Sequence, residues 1–258
     1  MVKMIAFDLD GTLLGRDGSV GEKSKQEIEK LRKENVIVVL ASGRHLCEIL
    51  PISQKLNLSN NDYIICCDGQ FTCDGLGNVI IERKYLTEED VDLILENYVI
   101  KHAIVVTENK NYIFEKTWHG FLLKKLFYRG KAKVIGRRKL QDLPKIQKII
   151  IESNCNNADI GFVIHTIDDK LMEILPKNNT KYHALQVIME KERIDDNKVV
   201  YYGDSYNDIE CFDNIIHSIA VGNAIDIIKQ RAWAIISEND EDGVGESLEK
   251  MRKGGWKL

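Results

Sequence analysis

Short apolar runs alternate with helical patterns at both ends of the chain. The run VKMIAF precedes a polar helix predicted from about Glu22 to Glu34, and the run VIVVLAS follows that helix. The alternation returns from about Lys181, with the helical segment YHALQVIMEKE and the strand-like runs KVVYYGD, SIAVG and AWAIIS. This order is typical of parallel strands joined by helical crossovers. VIVVLA and YIICC are apolar throughout, as expected for strands covered by helices on both faces.

The pattern changes after Asp68. Three β-hairpins are predicted there, with turns at Asp74-Gly75, Asn109-Lys110-Asn111 and Asp168-Asp169. Helical patterns lie between them, near Glu88 to Tyr98 and Gly120 to Phe127. Hairpins interspersed with helices indicate an antiparallel α+β unit. We therefore predict an α/β fold, a Rossmann-like parallel-sheet core at 1–82 and 178–258, with an α+β domain inserted at 83–177.

Charge and hydropathy narrow the function classes. The 258 residues carry a formal net charge of −4, which argues against nonspecific binding to nucleic acid or to anionic lipid. The apolar run at the N-terminus is interrupted by Asp8, and no run approaches the roughly 20 apolar residues that span a bilayer. We expect a cytoplasmic protein with a small-molecule partner. The oligomeric state stays open, and a monomer is compatible with the sequence.

Carboxylates dominate the predicted carboxyl ends of the parallel strands, where ligands bind in open α/β sheets. Polar residues at these ends, strand by strand, are Asp8 and Asp10, then Ser42, Gly43 and Arg44, then Asp68, and finally Asp204, Asn207 and Asp208. Carboxylates gathered in one crevice repel each other unless a cation holds them together. A hard cation is therefore implied, and Mg²⁺ fits best because it takes oxygen ligands and keeps positions for water and phosphate.

These residue types suit phosphoryl transfer. A carboxylate beside a metal can attack phosphorus and form an aspartyl phosphate, and a second carboxylate two residues later can move the proton. A hydroxyl and a cation should then hold the phosphoryl oxygens. Ser42 can supply the hydroxyl, and Lys181, after the helix-capping candidate Thr180, can supply the cation.

Four segments resemble, in order, the motifs of the haloacid dehalogenase-like (HAD) hydrolases. They are DLDGT (Asp8 to Thr12), ASGR with Ser42, Lys181, and GDSYND with Asp204 and Asp208. The resemblance implies that Asp8 is the nucleophile and Asp10 the general acid and base. It implies Mg²⁺ bound by Asp8, Asp204 and the Asp10 backbone carbonyl, and supported by Asp208. It implies phosphate binding by Ser42, Gly43, Lys181 and Asn207, near the Gly11-Thr12 turn.

Spacing refines the resemblance. Asp10 and Ser42 are separated by 31 residues and Ser42 and Lys181 by 138, which leaves room for an inserted domain only after Ser42. That arrangement resembles family members with an α+β (C2-type) cap domain after the second motif. The segments GNAIDIIKQRAWAI and EDGVGESL look like those of the Cof-type sugar-phosphate phosphatases, and this likeness implies that Asn223 lies near the site.

Three positions depart from the Cof-type pattern. Asp68-Gly69-Gln70 stands where Asn-Gly-Ala is usual, Tyr182 follows Lys181 in place of glycine, and His45 replaces a proline. We expect these changes to affect selectivity and not catalysis. Arg44 is predicted to be a helix-start or interface residue, with contact to substrate as the alternative. Asp242 is expected to cap the last helix.

The leading hypothesis is a Mg²⁺-dependent phosphatase that acts on small phosphorylated metabolites, sugar phosphates above all, through an aspartyl-phosphate intermediate. Two alternatives remain. One is a phosphomutase of the phosphomannomutase type, and the other is a non-catalytic module that binds sugar phosphates. No motif identifies the metabolite or the cap-domain residues that select it.

Overall fold

The structure is a computed structural model that describes residues 2–98, 100, 102–107, 111–115, 133–135, 143, 145–152, 161–166 and 171–254. The chain divides into two compact units, Met1–Arg83 with Thr180–Leu258, and Lys84–Asn179. The second unit begins one residue later and ends two residues later than the insertion predicted from the sequence.

Strands and helices are numbered here in chain order. The strands are β1 (Met4–Asp8), β2 (Ile37–Ala41), β3 (Tyr63–Cys66), β4 (Phe71–Asp74), β5 (Val79–Glu82), β6 (His102–Thr107), β7 (Asn111–Glu115), β8 (Lys133–Ile135), β9 (Ile146–Glu152), β10 (Val163–Thr166), β11 (Leu171–Leu175), β12 (Val199–Gly203), β13 (His217–Ala220) and β14 (Ala234–Ile235). The helices are α1 (Glu22–Lys33), α2 (Leu46–Lys55), α3 (Glu88–Asn97), α4 (Lys181–Glu192), α5 (Ile209–Asn214), α6 (Asp226–Arg231) and α7 (Gly243–Arg252).

The first unit is built on an eight-stranded sheet in the order β14-β13-β12-β1-β2-β3-β4-β5. The strands from β14 to β3 pair in parallel, which confirms the predicted Rossmann-like core. The hairpin predicted at Asp74-Gly75 is also present, but its strands β4 and β5 extend this sheet in antiparallel pairing. The hairpin therefore belongs to the sheet of the core, which is mixed.

Strand register brings the candidate residues together. β1 lies between β12 and β2, all five of its residues are buried, and its last residue, Asp8, pairs with Ala41 at the end of β2. Phe7 pairs with Tyr202, one residue before the end of β12. Because these parallel strands end at one level, the loops that follow them share one edge of the sheet.

The helix α1 shows why a polar sequence still packs against this sheet. Its mean composition is polar, but Ser24, Glu27, Ile28 and Leu31 recur at helical spacing and are buried. Asn35, two residues after the end of α1, has a φ of 61°, which is the left-handed conformation common at helix ends. The predicted order of helix, turn and strand is confirmed here.

The second unit has a six-stranded sheet in the order β10-β11-β9-β6-β7-β8. The strands of the second and third predicted hairpins, β6 with β7 and β10 with β11, pair antiparallel as expected. The hairpin-turn residues 109, 110, 168 and 169 and the helix predicted near Gly120 to Phe127 lie outside the described residues. Val91 and Ile94 of α3 belong to the same buried apolar cluster as Ile149 and Ile151 of β9, so the unit has its own core.

Asp242 corrects one expectation. It immediately precedes α7, but its side chain makes no capping hydrogen bond to that helix. Instead its carboxylate accepts hydrogen bonds from the backbone N–H groups of Lys23 (2.8 Å) and Ser24 (3.2 Å), in the first turn of α1. A Cβ atom on Gly21 would lie 2.1 Å from Asp242 Cγ, so the glycine makes room for this distant cap. The cap therefore joins the start of α1 to the loop before α7, 218 positions away along the chain.

We predict that Asp242→Ala lowers the free energy of unfolding by about 2 kcal/mol, because α1 loses its cap and alanine is disfavoured at a φ of 55°. Asp242→Asn should cost less, since asparagine keeps an acceptor oxygen and tolerates this backbone conformation. Urea denaturation followed by circular dichroism measures both. Asp213→Ala, which removes the exposed ion pair with Arg231, is the control and should cost less than about 1 kcal/mol. Equal losses for Asp242→Ala and Asp213→Ala would contradict the capping role.

Candidate active site

Lys181 is the centre of the site. It is the first residue of α4, and its side chain is fully buried. Its Nζ atom donates hydrogen bonds to Asp8 Oδ1 (2.6 Å) and to Asp208 Oδ1 (2.7 Å). Thr180 fixes the start of the helix, because its Oγ1 accepts a hydrogen bond from the backbone N–H of His183. The Lys181 ammonium, predicted as the cationic side chain of the site, therefore lies between the carboxylates of Asp8 and Asp208.

Both carboxylate oxygens of Asp208 accept hydrogen bonds. Its Oδ1 also accepts a hydrogen bond from Tyr201 Oη (2.6 Å), while its Oδ2 accepts from the backbone N–H groups of Asp204 (2.9 Å) and Ser205 (3.1 Å). Asp208 therefore orients the Lys181 ammonium and shapes the loop after β12. The role of Tyr201 was not foreseen, because its position in an apolar strand indicates only packing.

Asp204 is held against the DLDGT turn. Thr12 Oγ1 donates a hydrogen bond to Asp204 Oδ1 (2.8 Å). Gly11 has a φ of 84°, and a Cβ atom there would lie 2.6 Å from Asp204 Oδ2, so both the conformation and the contact require glycine. Asn223 Nδ2 donates to the Gly11 carbonyl (2.7 Å) and thereby supports the turn from outside.

The carboxylates of Asp8, Asp204 and Asp208 form a cluster that suits a hard cation. One oxygen atom from each of the three carboxylates lies within 4.8 Å of the other two. Asp8 Oδ2 is buried, and no hydrogen-bond partner for it exists among the described residues. Oxygen donors of this kind are typical ligands of Mg²⁺. Because the Asp208 oxygens are already bonded, Asp8 and Asp204 are the carboxylates best able to coordinate the ion. The Asp10 carboxylate is not part of this cluster.

The electrostatics follow from three carboxylates around one ammonium. Burial raises the pKa of Asp8 well above its ordinary value, and the charges of Asp208 and Asp204 add to this effect, although Lys181 opposes it. Burial and Asp208 likewise raise the pKa of Asp204. Burial acts to lower the pKa of Lys181, but Asp208, Asp8 and Asp68 together hold it well above its ordinary value. The excess negative charge thus favours protons or a cation at the cluster.

Asp10 is paired with Arg44. Arg44 Nε donates to Asp10 Oδ2 (2.8 Å), and Arg44 Nη2 donates to the other oxygen. The Asp10 side chain is 57% exposed, so solvent reaches it. Arg44 lies two residues before α2, and the pair with Asp10 was not predicted. The arginine two residues after Ser42 in ASGR was the available signal.

The remaining predicted phosphate-binding residues surround Asp68. The buried Ser42 Oγ accepts a hydrogen bond from the Arg44 backbone N–H (3.2 Å). A Cβ atom on Gly43 would lie 2.9 Å from Asp68 Oδ1, and Asn207 Nδ2 donates to the same oxygen (3.1 Å). The sequence marked Asp68 as the polar residue that ends the third strand and as a departure from a family pattern, but its contacts appear only in the fold.

The other two departures lie beside the site. His45 precedes α2, and its backbone N–H donates to Glu48 Oε2 (3.0 Å). Its ring Nδ1 lies 3.5 Å from the Cys67 Sγ atom. Tyr182 is half-buried and packs against the core of the first unit. Both side chains therefore have structural contacts of their own.

Comparison with known proteins identifies the family. The family model described as haloacid dehalogenase-like hydrolase matches residues 5–248. The chain belongs to the haloacid dehalogenase-like hydrolases. The resemblance noted from the four motifs is thus confirmed, and the relatives are phosphatases of the Cof type.

Curated relatives match over nearly their whole length. A 5-amino-6-(5-phospho-D-ribitylamino)uracil phosphatase of Bacillus subtilis is 27% identical over 252 residues, which are 96% of this chain and 94% of that protein. A phosphoglycolate phosphatase of Archaeoglobus fulgidus is 29% identical over 250 residues, 96% of each chain. This HAD hydrolase is accordingly a phosphoric monoester hydrolase that acts on small phosphorylated compounds.

Solved structures show the same fold. A phosphatase of this superfamily from Bacteroides thetaiotaomicron superposes with a TM-score of 0.81 at 17% identity, covering 98% of this chain and 96% of that one. A protein from Thermotoga maritima gives a TM-score of 0.72 at 23% identity, with 97% of each chain covered. In the described part of the chain, none of the helices has the length and apolar character needed to span a membrane.

We predict that Mg²⁺ raises the melting temperature of the wild-type protein, because the ion binds the folded carboxylate cluster and offsets its repulsion. At a hundredfold excess over Kd the gain is about 2.7 kcal/mol. Asp204→Asn should lose most of this gain, whereas the exposed control Asp213→Asn should keep it. Differential scanning fluorimetry with Mg²⁺ and with EDTA measures the shift. The same wild-type melting temperature in Mg²⁺ and in EDTA would argue against the metal site.

The stabilisation by Mg²⁺ should also shrink as the pH falls. The pKa values of Asp8 and Asp204 are raised, so protons occupy these carboxylates at a higher pH than they occupy ordinary ones. Protonated carboxyl groups compete with the metal, because its ligands must be deprotonated. The same fluorimetry between pH 8 and pH 5.5 at fixed Mg²⁺ tests this trend, and a Mg²⁺-induced shift that grows toward low pH would contradict it.

Proposed function

We propose that this chain is a Mg²⁺-dependent phosphatase that hydrolyses small phosphorylated metabolites, with sugar phosphates as the first class to test, through a phosphoryl group carried on Asp8. One observation carries the proposal. Asp8 is buried at the end of β1, with Oδ1 bonded to Lys181 and Oδ2 without a partner among the described residues. A carboxylate held in this way is oriented for attack on phosphorus.

Asp8 and Asp10 divide the chemistry. An Asp8 carboxylate oxygen attacks phosphorus, the bond from phosphorus to the leaving oxygen breaks, and Asp10 gives that oxygen a proton. Water then attacks the same phosphorus and passes a proton to Asp10. The bond from phosphorus to Asp8 breaks, and inorganic phosphate leaves. Asp10 suits this role because it lies two residues from Asp8 and is open to solvent.

Arg44 sets the orientation of Asp10. It donates to both carboxylate oxygens, so the pair is bidentate and geometrically defined. Asp10 has to exchange a proton twice in each turnover. Arg44 therefore serves as a positioning residue that releases at least one of the two Asp10 oxygens whenever a proton is transferred.

Lys181, Ser42, Gly43 and Asn207 hold the transferring phosphoryl oxygens. Lys181 brings a buried positive charge, and Ser42 brings a hydroxyl at the end of β2. Phosphoryl transfer depends mainly on such positioning and on charge stabilisation. A bound Mg²⁺, held by Asp8, Asp204 and the Asp10 carbonyl, would neutralise charge on the phosphoryl group.

Relatives support hydrolysis over the alternatives. They are named phosphatases, and their printed substrates include a phosphorylated ribityl compound and phosphoglycolate. A phosphomutase or a non-catalytic module would not be expected among them. The second unit is proposed as the cap domain that selects the substrate. The cytoplasmic location stays a prediction, and the oligomeric state stays open.

Asp8→Asn should abolish phosphate release from p-nitrophenyl phosphate in Mg²⁺, because the amide cannot form the acyl phosphate. Asp10→Asn should lower kcat by about 10²- to 10⁴-fold, the usual range for loss of a general acid and base. EDTA should remove wild-type activity, and added Mg²⁺ should restore it. Asp213→Asn is the control and should retain full activity. Undiminished turnover by Asp8→Asn would reject the proposal.

A screen of several dozen sugar and nucleotide phosphates then identifies the substrate class. Release of inorganic phosphate from sugar phosphates at higher kcat/KM than from other phosphates is the expected result. Conversion of mannose 1-phosphate to the 6-phosphate without phosphate release would instead establish the phosphomutase. Binding of sugar phosphates without turnover under any metal would establish the non-catalytic module.

A further inference from the structure

Asp68 is a buried carboxylate that the proposed reaction does not use. It is 1% exposed and lies in the turn directly after β3. It is not part of the carboxylate cluster formed by Asp8, Asp204 and Asp208. A buried carboxylate is costly unless it is hydrogen-bonded or paired, so the partners of Asp68 indicate what its charge acts on.

Three loops of the site meet at Asp68. Its Oδ1 accepts a hydrogen bond from Asn207 Nδ2 (3.1 Å), in the loop after β12. The same oxygen would lie 2.9 Å from a Cβ atom on Gly43, so it packs directly on the backbone after β2. The Asp68 backbone N–H donates to the Ser42 carbonyl (3.1 Å). Asp68 thus contacts three of the four residues assigned to phosphate binding.

The backbone adopts uncommon conformations to place this side chain. Cys67 and Asp68 have φ values of 51° and 53°, in the left-handed region that residues with a side chain disfavour. The Cys67 backbone N–H donates to the Arg44 carbonyl (2.9 Å), which ties the turn to the loop after β2. A conformation of this kind persists only where the surroundings fix it, and such sites often serve function.

The charge of Asp68 also acts on Lys181, the fourth residue assigned to phosphate binding. Asp68 is one of the carboxylates that hold the pKa of Lys181 above its ordinary value, after Asp208 and Asp8. The negative charge of Asp68 opposes part of the attraction that the Lys181 ammonium exerts on a phosphate dianion. The expected consequence is weaker binding of inorganic phosphate, and therefore easier product release.

We propose that Asp68 is a positioning residue of the phosphate site, which holds the Asn207 amide in place and whose negative charge weakens the binding of released phosphate. This inference rests on the proposed phosphatase function. The Asp68 side chain thus has two effects. The hydrogen bond orients a ligand of the phosphoryl group, and the charge limits product inhibition.

Asp68→Asn tests the charge, because asparagine has nearly the same shape and keeps an oxygen that can accept from Asn207. The inhibition constant for inorganic phosphate should fall about tenfold, that is, phosphate should bind more tightly, while kcat changes less than about threefold. A purely structural role would lower stability and activity but would not tighten phosphate binding. Asp213→Asn, with the same change of charge at an exposed ion pair, should leave the inhibition constant unchanged. An inhibition constant within twofold of wild type in Asp68→Asn would overturn the charge effect.

A double-mutant cycle tests the positioning. Relative to Asp68→Asn, which already lacks the charge, Asp68→Ala should lower kcat/KM about tenfold. In the Asn207→Ala background this further loss should nearly vanish, because it acts through the hydrogen bond to Asn207. Full additivity would overturn the positioning role. Melting temperatures show whether each variant is folded. If Asp68→Ala does not fold, the phosphate inhibition constant of Asp68→Asn still tests the inference. A wild-type protein that releases no phosphate would reject the proposed function itself, whereas an active wild type with unaffected Asp68 variants rejects only this inference.

Discussion

Excess negative charge in a buried crevice is the constraint on which the site depends. Asp8, Asp204 and Asp208 place carboxylate oxygens within 4.8 Å of one another, and the Lys181 ammonium is the buried cation bonded to two of them. Lys181 begins α4, so the positive end of the helix dipole adds to its charge. One ammonium does not balance three carboxylates. The remaining imbalance is what makes the cluster receptive to a divalent cation.

Glycine residues let the backbone approach the buried carboxylates of the site, both in the cluster and at Asp68. A Cβ atom on Gly11 would lie 2.6 Å from an Asp204 oxygen, one on Gly203 would lie 2.7 Å from an Asp208 oxygen, and one on Gly43 would lie 2.9 Å from an Asp68 oxygen. At each place a side chain would push the carboxylate away. The carboxylates are thus positioned by backbone contact as much as by side-chain bonds, which gives the rigidity that phosphoryl transfer requires.

The proposed function assigns chemistry and substrate choice to different units of this chain. The residues assigned to bond making, proton transfer and phosphate binding all belong to the first unit, whereas the second unit has its own sheet and buried core. Relatives that match nearly end to end are named for different phosphorylated compounds. A common reaction with varied substrates is expected when the catalytic groups stay on one scaffold and the selecting surface lies on another part of the chain.

The residue pattern alone indicates the alternation of strands and helices and the set of carboxylates, hydroxyl and lysine that the proposed chemistry needs. These features are local, because periodicity and turn chemistry act over a few residues. Only the tertiary structure decided which groups meet. Lys181 bonds Asp8 across 173 positions, and Asp242 caps a helix 218 positions away. Arg44 meets Asp10 because the neighbouring strands β1 and β2 end at one level, and Asn207 meets Asp68 although β1 and β2 separate the strands β12 and β3 that precede them. Strand order and register set those meetings, and no local pattern along the chain encodes them.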